Sequence, residues 1–324
     1  MLRILEGEAA FTFQEIDGDS EEVVSFLKAN FSCPTHWPDW NLALSDYVGS
    51  RFFYRTCRLN GKLVGICPCH KIANAFTSIV HSGPKTLLMP YGGWIFSEEI
   101  RVAERMLGMG YFQEISYYSL PCLAEYNAEY HSPTSSEFLT LLVDLHDDEE
   151  KIWMESIDPK RRNMIRKAEK NGISIMEDDK SNLDVFFTVL KSANDRYGLK
   201  TFEQRYFVDL FGLATNISFD ILWAKTGEKV LAGIVIVRDK NFAIYWLGMT
   251  VEGAPNLGQG DLLQWFAIKK AKAAGCRYYD LCTIEKERLP QIYEFKKGFA
   301  RVERPFYWYG FRPIPYRILR KLSL

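Results

Sequence analysis

The sequence predicts a mixed α/β (α+β) protein of two tandem units, each a twisted mixed sheet flanked by helices. Three observations carry that prediction. Apolar runs rich in β-formers alternate along the chain with segments of helical periodicity. Two hairpins lie far apart, and their returning strands echo each other as Lys62-Leu-Val-Gly-Ile-Cys67 and Lys229-Val-Leu-Ala-Gly-Ile-Val235. Around each hairpin the order helix, hairpin, glycine-containing strand, helix, strand recurs, which reads as an internal duplication. Gly65 and Gly233 then stand at equivalent points of the two halves.

Taken in order, Ser20 followed by Glu21 and Glu22 is an N-cap with an acidic first turn, opening a helix that buries Val23, Val24, Phe26 and Leu27. His36–Trp40 is a loop leading into a short helix. Asn60-Gly61 joins two β-rich runs and calls for a type I′ hairpin. Leu87–Phe96 is a strand broken at Gly92-Gly93, where backbone or ligand can come close. A helix over Glu98–Gly108 and strands over Phe112–Leu120 and Glu137–Asp144 complete the first half.

In the second half, Asp158 caps, Pro159 takes the first helical position and Gly172 closes a strongly basic helix. Amphipathic helices follow at Ser181–Asn194 and Phe202–Leu213, then a hairpin of Phe219–Ala224 and Val230–Val237. Strand Phe242–Met249, the Gly258-Gln-Gly260 turn and helix Asp261–Ala274 lead to a buried strand at Tyr278–Cys282. Pro290 opens a last short helix, and Gly298 is expected to close it as its C′ residue. Arg301–Phe311 is an aromatic strand, and Pro313–Leu324 a basic tail.

Composition excludes several classes. Forty Lys+Arg against 41 Asp+Glu leave no global basic field of the kind a dedicated duplex binder carries. The first residues have acidic groups where a signal peptide needs its apolar core, and no apolar run nears ~18 residues, so the expected compartment is cytoplasmic. Seven cysteines suit reduced thiols rather than a disulfide framework. Cys67-Pro-Cys69-His70 and Cys33-x-x-His36 lack the paired spacing of a zinc site, so no metal is expected. No P-loop, dinucleotide fingerprint, HExxH or GxSxG element is present.

Two stretches carry candidate chemistry. In Tyr293-Glu-Phe-Lys-Lys-Gly-Phe299 the ordinary role of Lys296 and Lys297 is to complement the negative end of a helix dipole. In Trp153 and the following Arg161-Arg-Asn-Met-Ile-Arg-Lys-Ala-Glu-Lys-Asn-Gly172 the ordinary reading is a solvated charged face. Guanidinium forks in such a run also suit phosphates. Together, however, these stretches resemble the FKxGF signature and the second-domain motif of the FemAB-type transferases. These are aminoacyltransferases of peptidoglycan cross-bridges, with acyltransferase relatives in the GNAT superfamily. The Pro90–Trp94 turn (PYGGW) and the first hairpin carry the resemblance more weakly into the first half.

The resemblance implies two tandem GNAT-like domains with a substrate groove between them, one over 1–148, to which 305–324 returns, and one over 149–304. It implies transfer of an aminoacyl or acyl group to an amine of a phosphorylated cell-envelope precursor such as a peptidoglycan intermediate. The donor would be aminoacyl-tRNA and no cofactor is required. It assigns catalysis to Lys296, Tyr245 and Asp280, with Lys296 stabilising the oxyanion of a tetrahedral intermediate or binding a tRNA phosphate. It assigns substrate binding to Arg161, Arg162, Asn163, Arg196, Arg205, Tyr91, Tyr279, Phe295 and Lys297. An ordering role for the arginine-rich segment at the domain junction stands beside the phosphate role. Gly258-Gln-Gly260 departs from the acetyl-CoA signature of ordinary GNAT enzymes, because Pro255 takes the Gln/Arg position and Asp261 adds negative charge. The rival readings are an acyl-CoA-dependent N-acyltransferase acting on a nucleotide sugar or exopolysaccharide precursor, and a non-catalytic binding protein. The basic tail, with Pro313, Pro315, Tyr316 and Leu319, offers a peripheral membrane contact.

Overall fold

The computed structural model describes residues 11–73, 77–83, 89–97, 113–118, 136–181, 183–282, 286–287, 289–315 and 317–318. The helix expected at 98–108 and the tail positions 316 and 319–324 lie outside them. The chain divides into two compact units, Met1–Phe138 with Arg304–Leu324, and Leu139–Glu303. The boundary falls before the expected 148/149 because the strand Ser136–Asp144 pairs with Tyr278–Asp280 of the second unit.

In the first unit the strands are β1 (Phe11–Asp17), β2 (Arg51–Leu59), β3 (Lys62–Ala73), β4 (Ser78–Ser82), β5 (Ile95–Phe96) and β6 (Gln113–Tyr118). They order as β1-β2-β3-β4-β6, followed by the late strand Val302–Phe311, with β5 beside β3. Helices α1 (Glu21–Ala29) and α2 (Pro38–Val48) precede the hairpin. Asn60 and Gly61 both have positive φ, 49° and 81°, as a type I′ turn requires.

The second unit orders as β7 (Ser136–Asp144), β12 (Tyr278–Asp280), β11 (Phe242–Thr250), β10 (Lys229–Arg238), β9 (Ser218–Thr226), β8 (Ser174–Glu177). Its helices are α3 (Pro159–Lys170), α4 (Leu183–Arg196), α5 (Gln204–Leu213), α6 (Gln259–Ala273) and α7 (Pro290–Lys297). The duplication appears in the pairing. In each unit a hairpin is followed by a strand that then takes a parallel neighbour, β4 with β6 and β11 with β12. The echoed glycines do the same work in both. A Cβ on Gly65 would lie 2.4 Å from the Phe96 ring, and one on Gly233 2.5 Å from the Trp223 ring, so each bare strand position lets an aromatic ring lie flat on it.

Two cores sandwich the second sheet. On one face α3 and α6 bury Ile165, Ala168, Leu263, Ala267 and Ala271 against Leu222, Ile234, Ile236 and Tyr279. On the other, Phe186 and Phe207 pack edge to face at 5.5 Å, and Phe211 and Trp246 close on Phe219 at 5.1 and 5.8 Å. Register along β10 pairs Val235 with Leu247 but Ile236 with Tyr245, so Trp246 is the extra residue of a bulge. Bulges of this kind re-aim neighbouring side chains. Here the bulge leaves Trp246 with the α4/α5 aromatics and Tyr245 with the opposite core.

Candidate functional site

Lys296 sits in the last turn of α7 and is only 8 % exposed. Its Nζ donates to the Cys282 carbonyl at 3.4 Å and lies 5.5 Å from the centroid of the Tyr245 ring. Burial pushes the amine's pKa below the usual lysine range, while Cys282 and Asp280 push it back up. The Tyr245 hydroxyl is raised to about 12, mainly by burial, with Cys282 and Tyr197 adding to the effect. That hydroxyl also rests on bare backbone, since a Cβ on Gly248 would lie within van der Waals overlap of it.

Asp280 is fully buried at the end of β12. Its Oδ1 accepts from Thr140 Oγ1 at 2.5 Å and from the Cys282 amide at 2.8 Å. Cys282 has φ +63°, a left-handed conformation that a residue with a Cβ adopts at a cost. The carboxylate–amide bond is of the Asx-turn type, which offsets that cost locally. Asp280 therefore holds the bend whose carbonyl meets Lys296. Tyr279, also buried, donates its hydroxyl to Gln264 Oε1 at 2.8 Å and so ties β12 to α6. Burial raises its pKa well above the usual value.

Two of the arginines are committed within the unit. Arg161 Nη1 pairs with Asp261 Oδ1 at 2.9 Å, with the side chains 14 % and 7 % exposed. Its guanidinium also lies 5.3 Å over the Phe295 ring, which packs on Phe299 at 5.3 Å. Burial raises the Asp261 carboxyl pKa, and Arg161 opposes the shift. Arg162 Nη1 donates to the carbonyls of Trp153, Met154 and Ile157 at 2.9, 2.8 and 2.7 Å. These belong to the short π-helical turn Ile152–Ser156 and the residue after it, so Arg162 caps that segment.

Of the remaining expected residues, those in the second unit are exposed. Asn163 is exposed and accepts from Arg166 at 3.4 Å. Arg196 donates to the Thr250 carbonyl and borders an open depression with Lys191, Asp195 and Glu252. Arg205 is exposed. Lys297 is exposed, 5.4 Å from the Tyr293 ring. Tyr91 belongs to the first unit, where it is fully buried edge-on to Phe306 at 5.2 Å. Sequence reasoning missed Thr140, Cys282 and Gln264 as partners of the site.

The turn before α6 is closed by its own side chains. Gln259 Oε1 accepts the Leu257 amide at 2.8 Å and Asn256 Oδ1 the Gly258 amide at 3.3 Å. Gly258 has φ +91°, and a Cβ there would lie 2.2 Å from the Met164 carbonyl. Two backbone donors of this turn are thus used within it, and α3 lies over the turn. Among the described residues no group of three or more His, Cys, Asp or Glu is placed to hold a metal ion. The cysteines described are free.

Residues 159–297 match the family model of an acetyltransferase (GNAT) domain. These residues form a GNAT acyltransferase domain. The chain shares its fold with FemX at 12 % identity and a TM-score of 0.70, over 96 % of this chain and 99 % of that one. It is also similar to the C-terminal domain of a putative lysylphosphatidylglycerol synthetase from Agrobacterium fabrum, at 13 % identity and TM-score 0.54, covering 94 % and 95 %. L-PGS from Bacillus licheniformis matches at 15 % and 0.50, covering 94 % and 97 %. No curated protein is similar to the chain in sequence. The FemAB resemblance read from the two motifs is thus met at the level of fold. The match takes in Lys296, Tyr245 and Asp280. Among the described residues no helix is long and apolar enough to cross a membrane.

Proposed function

We propose that this protein transfers an aminoacyl group to an amine of a cell-envelope precursor, taking it from aminoacyl-tRNA rather than from coenzyme A. The observation that carries the reading is the buried Lys296 ammonium, fixed between the Cys282 carbonyl and the Tyr245 ring. Attack of an amine on an activated ester passes through a tetrahedral oxyanion. A desolvated cation held before that charge develops stabilises it without reorganisation. Tyr245 supplies one wall, and Asp280 acts through the Cys282 bend as a positioning residue. The acceptor amine loses its proton to solvent or to the departing ribose oxygen.

The closed turn before α6 supports the choice of donor. Leu257 and Gly258 spend their amides on Gln259 and Asn256, and Asp261 puts a carboxylate in the first turn of α6. FemX shares the fold, and the lysylphosphatidylglycerol synthetase likeness points to an aminoacylated envelope product. A cytoplasmic enzyme meeting its precursor at the inner membrane surface fits this reading. Arg161 and Arg162 order the domain rather than grip phosphate.

The test is amide formation by the purified protein from charged tRNA and, separately, from acyl-CoA, with envelope precursors as acceptors. Lys296→Ala is expected to lower kcat by about 10²–10³ with charged tRNA. Turnover with acyl-CoA alone, or full activity in Lys296→Ala, would overturn the assignment.

A further inference from the structure

After Glu303 the sequence holds no further Asp or Glu, while Arg304, Arg312, Arg317, Arg320 and Lys321 follow. In a chain with 40 Lys+Arg against 41 Asp+Glu this is a local excess of positive charge. The later of these cations share their segment with apolar residues. Beyond the late strand Val302–Phe311, Pro313 is buried and the backbone turns helical, with the Arg317 amide donating to the Pro313 carbonyl at 3.0 Å. Pro315 falls in the first turn, where a proline breaks no helical bond. Ile314 and Ile318 stand one turn apart and are 64 % and 55 % exposed, more than any other large hydrophobic among the described residues. Arg317 between them is also exposed, and among the described residues it forms no ion pair. At helical spacing Leu322 continues the row of Ile314 and Ile318 and Leu319 widens it, while Arg317, Arg320 and Lys321 fall outside that stripe.

We propose that this segment docks the protein on an anionic lipid bilayer. The isoleucines enter the boundary between headgroups and acyl chains, and the cations meet the lipid phosphates. An apolar stripe flanked by arginine and lysine, with no carboxylate side chain in the segment, is complementary to such a surface in both respects. Other occupants use only half of it. A second copy of the chain would cover the isoleucines but bring two cationic segments together. A nucleic acid would meet the cations but leave the isoleucines in water. The docking surface adds to the transfer reaction and does not depend on it; where that reaction acts on a membrane-bound precursor, docking brings the enzyme to it.

The experiment sediments the full chain with vesicles of phosphatidylglycerol mixed into phosphatidylcholine, and with pure phosphatidylcholine, across a salt series. Binding is expected to the anionic vesicles only, weakening as salt rises. Arg317→Gln/Arg320→Gln/Lys321→Gln, which keeps the apolar stripe, is expected to weaken partitioning about a hundredfold. Ile314→Ser/Ile318→Ser, which keeps the cations, is expected to weaken it at least tenfold. Thermal melts of the isoleucine variant should match the parent, because both side chains are exposed. Equal binding to pure phosphatidylcholine, no binding to either vesicle, or parent-like binding in either variant would overturn the inference. So would a parent dimer that the isoleucine variant dissolves while vesicle binding persists, which assigns the stripe to a second copy. The two proposals fail separately. Amide formation from charged tRNA by a chain that ignores anionic vesicles would sink the docking surface and leave the reaction. Vesicle binding that depends on these residues, with no amide formed from any donor, would sink the reaction and leave the docking surface.

Discussion

Replacing Arg161 by methionine distinguishes an arginine that orders the domain from one that grips substrate phosphate. The pair with Asp261 is short, 2.9 Å, and poorly exposed on both sides, 14 % and 7 %. Removing one partner of a buried pair leaves an uncompensated charge and costs about 3–5 kcal/mol. Arg161 keeps some contact with solvent, so the low end, about 3 kcal/mol, applies. Methionine keeps the apolar stem over Phe295 and Gly298, so most of the loss is electrostatic. The pH dependence fixes the cause. Burial already raises the Asp261 carboxyl pKa and Arg161 opposes it, so removing Arg161 raises it further. The cost belongs to the ionised carboxylate. It is present above the folded pKa and is relieved as pH falls through it. Urea unfolding should therefore show the full loss at neutral pH and a shrinking one on acidification. Arg161→Met/Asp261→Leu should recover most of the stability at neutral pH. A loss below about 1 kcal/mol, the range of an exposed pair, would refute the structural role, as would one that does not change with pH.

Three further outcomes test the lysine site. Gly248→Ala should push the Tyr245 hydroxyl off the strand, lowering kcat with little change in melting temperature; unchanged turnover would show that the ring does not shape the site. Asp280→Asn removes an anion that holds the Lys296 pKa up, so the ammonium deprotonates at lower pH. The alkaline limb of the kcat–pH profile should move down and not up. Gly298→Ala places a Cβ 2.6 Å from Arg161 Cγ, and overpacking of this kind should cost about 1–3 kcal/mol in urea unfolding unless Arg161 gives way.

That last glycine shows where sequence reasoning reaches its limit. Gly298 does follow the last helical residue, as its position predicts, but its φ of −69° makes no use of the left-handed freedom of glycine. The glycine is needed because the Arg161 stem crosses its Cα, and the Asp158 amide donates to its carbonyl at 2.8 Å. A helix end and a long-range contact leave the same letter in the sequence. The hairpins, by contrast, were legible because Asn60-Gly61 is a local requirement for two positive φ values. The edge strands β1 and β8 were not, because β1 is half exposed and Ser174-Ile-Met-Glu177 is too short to show alternation.

The site divides along the same line. The motif singles out Lys296, and its burial adds what the motif could not say. For Arg161 and Arg162 the sequence leaves a phosphate grip and an ordering role side by side, because composition shows charge but not the partners that meet it. Those partners are Asp261, a hundred residues away in the chain, and carbonyls exposed by a π-helical turn that no periodicity announces. Asp280 likewise looked like a participant in the chemistry. Its Oδ1 accepts from both Thr140 and the Cys282 amide, and its influence reaches Lys296 through a bent carbonyl and through its charge. Where a polar residue's partner lies close in sequence, the letters name its role. Where the partner is brought by the sheet, as β7 brings Thr140 to β12, only the register does.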